Sequence, residues 1–279
     1  DPLIMTSDGG TIPRATAAAY PVRLIESGPA GGAMAASFLG ALADYGDIIA
    51  FDMGGTTAKI CVIENGEPSR AGQFEVGHVY RFARGSGLPI RAPVLEMIEI
   101  GAGGGSIAEV SELSLLKVGP ESAGADPGPA CYALGGSKPT VTDADLYLGY
   151  LDEGFFLGGG MELDLARAEK AIADYVAKPL GVSVDRGAVG IHAVVNDNMA
   201  RAAKVHCLER GRDPRDYTMV AFGGAGPVHA YRVAAALGMR RIVFPARAGV
   251  MSAFGFLVSP PAFELMRTAT VTLGGVDLR

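Results

Sequence analysis

Apolar residues in this chain bunch into short runs that break on glycine. Ile48, Ile49, Ala50 and Phe51 lead into Asp52; after Met53, Gly54, Gly55, Thr56 and Thr57 a second run resumes with Ala58, Ile60, Cys61, Val62 and Ile63. Runs of this length around a pair of glycines predict a strand, a tight turn and a returning strand. Asn65-Gly66 is a two-residue hairpin signal, so a further antiparallel strand should follow. Tyr217 to Phe222 is another such run. It breaks at Gly223, Gly224, Ala225 and Gly226, and Pro227 then suits a first helical turn whose face continues through Val228, Tyr231, Val233, Ala234 and Leu237.

Helical period appears elsewhere. Asp164 to Ala177 places Leu165, Ala168, Ile172 and Tyr175 or Val176 on one face, with Pro179 as the stop. Asp185 to Arg210 repeats Ile191, Val194, Val195, Met199, Ala202, Val205 and Leu208 about every 3.6 residues. In Glu26 to Leu42, Ser27 suits the N-cap and Pro29 the first turn, and the small residues predict tight packing against a neighbour. Arg241 to Pro245 reads as a last short strand. Residues 68–150 are mostly glycine, proline and short apolar runs and read as an insertion, with an ordered loop over Gly119 to Tyr132.

The candidate chemistry lies at the glycine breaks. Gly54 and Gly55 are free to take positive φ and to present backbone N–H groups to an anion, Thr56 and Thr57 add hydroxyls, and Asp52 suits a hydrated Mg²⁺. An ordinary hairpin would carry the same pattern. The glycines of the 223–226 turn would let a flat ring or a phosphate lie against bare main chain. Asp8-Gly9-Gly10-Thr11 imitates the first motif, but Pro13 should interrupt a returning strand, so it reads as a turn between elements. Gly103, Gly104, Gly105 and Ser106 fail the dinucleotide spacing; their N–H groups are expected to line the substrate side of a cleft. Asp143 suits two roles, a second acid near metal or substrate and a helix cap. Cys131 has no basic neighbour in sequence and reads as a buried structural thiol.

The words SDGG, SGPAGG, FDMGGTT, IGAGGGSIA, VGPESAGADPGPACY, PTVTDADLYLGYL and ERGRDPRDYTMVAFGGAGPVHA, spread over most of the chain, resemble the hydantoinase A and 5-oxoprolinase family within the actin-like ATPase superfamily. The resemblance implies an α/β fold: a ribonuclease H-like lobe with a mixed sheet flanked by helices. Residues 1–279 would be the second lobe, with 68–150 a glycine/proline-rich insertion within it. It implies ATP and Mg²⁺, with Asp52 on the metal, Gly54, Gly55, Thr56 and Thr57 on the phosphates, Gly223, Gly224, Ala225 and Gly226 behind the nucleoside, and Glu209 near ribose or adenine. The implied activity is ATP-dependent opening of a cyclic amide; ketone carboxylation, a sugar-kinase-like lobe and a non-catalytic nucleotide-binding lobe are the alternatives. Only one of the superfamily's two Asp-Gly loops is convincing here. The expectation is therefore a middle piece of a longer chain, inactive alone, with the first lobe upstream and a hydantoinase B-type second subunit as partner.

Composition narrows the setting. Glycine supplies 40 of 279 residues, about twice its usual share, so loops rather than bulky cores distinguish the chain. A net charge of −6 without basic runs argues against a nucleic-acid surface, and no apolar run is long enough for a membrane span. The three cysteines lack paired spacing, which fits a reduced, cytoplasmic setting. His206 and Glu209, one helical turn apart, could share a metal, but no further ligand accompanies them in sequence.

Overall fold

The computed structural model describes residues 2–76 and 87–263. His78 and the terminal TVTLGGVDLR lie outside the described residues. A six-stranded mixed sheet is the centre of the fold. Strand β1 (Ile48–Met53) pairs antiparallel with β2 (Ala58–Glu64), and β3 (Met97–Ile100) pairs antiparallel with the far side of β2. On the other flank β4 (Thr218–Phe222) runs parallel to β1, and β5 (Ile242–Val243) parallel to β4. In these labels the order is 3-2-1-4-5, with Glu67–Pro68 as a short sixth strand on β2. Asn65 and Gly66 both take positive φ, as the predicted two-residue turn requires.

Among the described residues the helices of seven residues or more are α1 (Ser27–Ala43), α2 (Val141–Tyr147), α3 (Leu165–Ile172), α4 (Val184–Leu208), α5 (Gly226–Leu237) and α6 (Met251–Val258). Strand β1 is apolar on both faces because both are covered. Ile49, Phe51 and Met53 join the core with Ile191, Val195 and Met199 of α4 and Val233 of α5. Ile48 and Ala50 join the opposite core with Ala30 and Ala33 of α1 and Met251 of α6. Strand alternation then turns Asp52 toward the α1/α6 layer.

The small residues of α1 pack as the sequence predicts. A Cβ on Gly255 of α6 would lie 1.7 Å from the Gly31 carbonyl, and one on Gly32 would lie 2.4 Å from the Phe222 ring. Ser27 is already inside the helix, and Glu26 occupies the N-cap without a side-chain bond. Pro179 does not stop the α3 segment, because a wide turn over Ala173–Ala177 restarts the helix and places Pro179 in a fresh first turn, where its missing N–H costs nothing. Toward the end of α4 the apolar stripe drifts outward: Val205 and Leu208 are exposed, and His206 and Cys207 face inward instead.

The stretch 68–150 is woven into the main sheet through β3. It also forms a hairpin of Ser106–Val110 with Leu116–Ser122, so strand continues past Gly119, where a loop was expected. Leu3–Met5 pairs with Thr11–Pro13, and Asp8 accepts from Thr6 Oγ1 and the Gly10 N–H, which makes SDGG a local hairpin turn. Among the described residues no helix is long and apolar enough to cross a membrane.

Candidate nucleotide site

The β1–β2 turn and the β4–α5 turn meet at the carboxyl ends of two neighbouring parallel strands, where open α/β sheets leave a crevice. The Gly54 N–H closes the first turn on the Thr57 carbonyl at 3.0 Å. Gly55 and Thr56 beyond it are exposed, and neither N–H donates to another backbone group among the described residues. Neither Gly54 nor Gly55 takes positive φ, contrary to expectation. What the missing side chain leaves is bare main chain: nothing stands within 4 Å of where a Gly55 Cβ would be.

The second turn is fastened to the first. The Ala225 N–H donates to the Met53 carbonyl at 2.9 Å and the Gly223 N–H to the Ala248 carbonyl at 3.0 Å. Gly223 has φ +86°, and a Cβ there would lie 2.4 Å from Asp52 Oδ1 and from the Met53 oxygen. Gly224 is exposed with open space beside it, and Gly226 begins α5.

Burial raises the Asp52 carboxyl above its ordinary range, against the lowering effects of the Lys59 charge and a hydrogen bond from Ser252. Lys59 stands directly across the strand pair from Asp52. Its ammonium lies 2.7 Å from Glu99 and 3.8 Å from Glu26, so one cation is shared among three acids. An ionised Asp52 is therefore short of positive charge, a setting that favours an added cation.

The 103–106 loop faces the turn rather than a substrate. Gly104 and Gly105 donate to the carbonyls of Gly54 and Gly55 at 3.0 and 2.6 Å, Gly103 donates to Ser106 Oγ at 2.9 Å, and Ser106 donates back to Gly103 at 3.0 Å. All four N–H groups are spent and Ser106 is fully buried, so the donors expected to line a cleft brace the hairpin from behind.

Asp143 is likewise turned inward. Its carboxylate accepts from the N–H groups of Thr140, Ala130 and Cys131 and from Thr140 Oγ1, closing a capping box at the start of α2. With its lone pairs occupied and no surface exposed, it lacks the open coordination a metal or substrate acid needs. Cys131 is buried beside it; desolvation and the Asp143 charge push the thiol far up, which fits the structural reading. Glu209 is exposed at the end of α4, and no described hydrogen bond ties it to the 223–226 turn. His206 meets Arg210 Nη1 at 3.0 Å rather than sharing a metal with Glu209.

Sequence reasoning missed a buried polar cluster behind the two turns. Asp145, two residues past Asp143, meets His192 of α4 and His229 of α5, with Asn196 on the far side of His229. Asp145, His192 and His229 stand far apart in sequence, so no local pattern links them; the TDAD word drew attention to its first acid instead.

The sheet order, the acidic hairpin after β1 and the glycine turn after β4 define a lobe of the actin-like ATPase type. Residues 1–264 match the hydantoinase/oxoprolinase family, and the chain belongs to that family. An uncharacterized protein of Methanocaldococcus jannaschii is 45% identical over 98% of this chain and 40% of its own length. The caprolactamase subunit alpha of Pseudomonas jessenii is 38% identical over 96% of this chain and 37% of its own. The crystal structure of that organism's ATP-dependent caprolactamase matches with a TM-score of 0.76 at 38% identity, covering 93% of this chain and 36% of that one. A nucleotide-free acetone carboxylase structure matches with a TM-score of 0.80 at 33% identity, covering 93% of this chain and 35% of that one. The chain thus spans well under half the length of these relatives.

Proposed function

We propose that this chain is the nucleotide-holding second lobe of a cytoplasmic, ATP-dependent amidohydrolase that opens a cyclic amide such as hydantoin or 5-oxoproline. The observation that carries this reading is the junction of Asp52 and the bare Gly55–Thr56 backbone with the Gly223–Gly226 turn.

The residues present fit ATP and Mg²⁺. Asp52, short of a counter-charge, would hold the hydrated ion. The free N–H groups of Gly55 and Thr56, with the Thr56 and Thr57 hydroxyls, would hold the phosphates, and Gly224 offers open main chain to the nucleoside. An amide resists water because its carbonyl carbon is a poor electrophile and its nitrogen a poor leaving group. Bound ATP would supply a phosphoryl group for the amide oxygen, which makes the carbon electrophilic enough for water to add and the C–N bond to break, with nitrogen leaving protonated. This chain's part is to bind and orient the phosphate tail and offset its charge, the terms on which such transfer chiefly depends.

The relatives are longer and several are named as subunits, which supports an upstream first lobe and a hydantoinase B-type second subunit as partners. The fold likeness to acetone carboxylase supports ATP-dependent ketone carboxylation as the second reading. The test uses the full-length protein. Calorimetry should register Mg²⁺-dependent ATP binding that Asp52→Ala abolishes, and ADP release should respond to hydantoins or 5-oxoproline. Bicarbonate-dependent ADP release with ketones alone would favour the second reading; no nucleotide binding by the wild type would refute both.

A further inference from the structure

Three side chains from three helices converge on one buried point outside the nucleotide site: Asp145 of α2, His192 of α4 and His229 of α5, exposed by only 2%, 6% and 0%. One ligand atom from each lies within 4.8 Å of the others. His192 Nδ1 stands 2.9 Å from Asp145 Oδ1, and His229 Nε2 stands 3.0 Å from Asp145 Oδ2. The imidazole centroids are 4.8 Å apart, with their planes within 24°.

The surrounding hydrogen bonds fix the tautomer of His229. Asn196 Nδ2 donates to the His192 carbonyl at 2.7 Å, so it is Asn196 Oδ1 that faces His229 Nδ1 at 3.0 Å. A carbonyl oxygen only accepts, and His229 Nδ1 therefore carries a hydrogen. That leaves Nε2 as the atom aimed at the carboxylate. Nε2 is satisfied either by a proton shared with the Asp145 carboxyl or, as a bare lone pair, by a positive ion held together with Oδ2.

The second arrangement matches a metal-ligating histidine, which donates its outer N–H to an oxygen and keeps its inner nitrogen bare. Ligand atoms around a tetrahedral zinc with bonds of about 2.1 Å stand about 3.4 Å apart, so side-chain shifts of a few tenths of an ångström from the 2.9 and 3.0 Å separations would admit the ion. Among the described residues a protonated His229 would be met by Asn196 and Asp145 alone. Here His192 turns Nδ1 onto the same carboxylate, and the Tyr150 ring covers it at 4.9 Å.

We propose that Asp145, His192 and His229 bind one divalent transition-metal ion. Two imidazole nitrogens and one carboxylate oxygen suit Zn²⁺ first, and Co²⁺ as its spectroscopic substitute. The ion would pin α2, whose Thr142 holds the Gly104 carbonyl, to α5, which opens at the 223–226 turn.

The experiment uses full-length protein purified without chelator, with the metal salts alone as probes. Expected are about one equivalent of zinc or a related ion per chain, a fall of roughly 5 °C in Tm when a chelator removes it, and recovery on adding Zn²⁺. Co²⁺ added to the stripped wild type should produce visible d–d bands that Asp145→Asn and His192→Gln lack. The deciding measurements are made on folded wild-type protein, so a poorly folding variant cannot decide the result. The proposal is overturned if stripped wild type gains neither a Tm shift with Zn²⁺ nor bands with Co²⁺. It is equally overturned if nitrogen NMR finds both His229 nitrogens protonated with Zn²⁺ present.

Discussion

Gly223 is held against Asp52 so closely that a Cβ on the glycine would stand 2.4 Å from the aspartate's Oδ1. The same Cβ would meet the Met53 oxygen at 2.4 Å, and φ is +86°, so relief by moving the Asp52 side chain alone is ruled out. Gly223→Ala should cost about 2 kcal/mol or more of stability through forced backbone geometry and should displace Asp52. Urea denaturation measures the first effect and calorimetric Mg·ATP affinity the second. Unchanged affinity in the folded variant would separate the turn from the site.

Asp52→Asn should split stability from activity. Burial raises the Asp52 carboxyl, so the folded chain holds this proton more tightly than the unfolded chain does. For such an acid the contribution to stability is greatest at low pH and declines as pH rises above the unfolded value, leaving near neutrality a half-buried charge that Lys59 and Ser252 offset only in part. Without nucleotide, Asn should raise Tm at pH 7 and lose that advantage in acid. With Mg·ATP, turnover of the full-length protein should fall by about a hundredfold or more. Melting curves across pH with and without nucleotide test both signs.

Gly103→Ala probes the brace behind the hairpin. Its Cβ would lie 2.6 Å from the carbon and oxygen of Gly55 and from the Thr56 carbon, all main chain. The hairpin must shift, and the Gly104 and Gly105 bonds to it lengthen. The expected outcome is a raised KM for ATP with a smaller change in Tm, because the exposed turn can yield without opening the core. An unaltered KM would mean that the brace does not set the phosphate geometry.

Asp143→Ala removes one carboxylate from three buried N–H donors and a hydroxyl. Orphaned buried donors cost about 1–3 kcal/mol each where water cannot replace the acceptor, so a loss of at least about 3 kcal/mol is expected. Chemical denaturation would show it. If stability held and only turnover fell, the acid would belong to the chemistry after all.

Local pattern carried the strands and turns because each needs only its own residues. The apolar run into Asp52, the Asn65-Gly66 reversal and the glycine break after Phe222 are written in consecutive positions and appear where they were read. The family words likewise located both turns of the candidate site. Sequence could not say which way Asp143 and Asp145 point: two positions apart in one helix, one turns to the Ala130–Cys131 backbone and the other to two histidines. Nor could it reveal that the N–H groups of Gly103 to Ser106 are spent on the hairpin and on one another.

The sequence by itself determined the strand–turn chemistry at Asp52 and Gly223, because φ preference, apolar period and missing side chains act within a few residues. Only the tertiary structure decided which donors remain open and which buried acids meet which histidines. Those outcomes depend on the approach of segments dozens of residues apart, where packing selects the partner and no local rule applies.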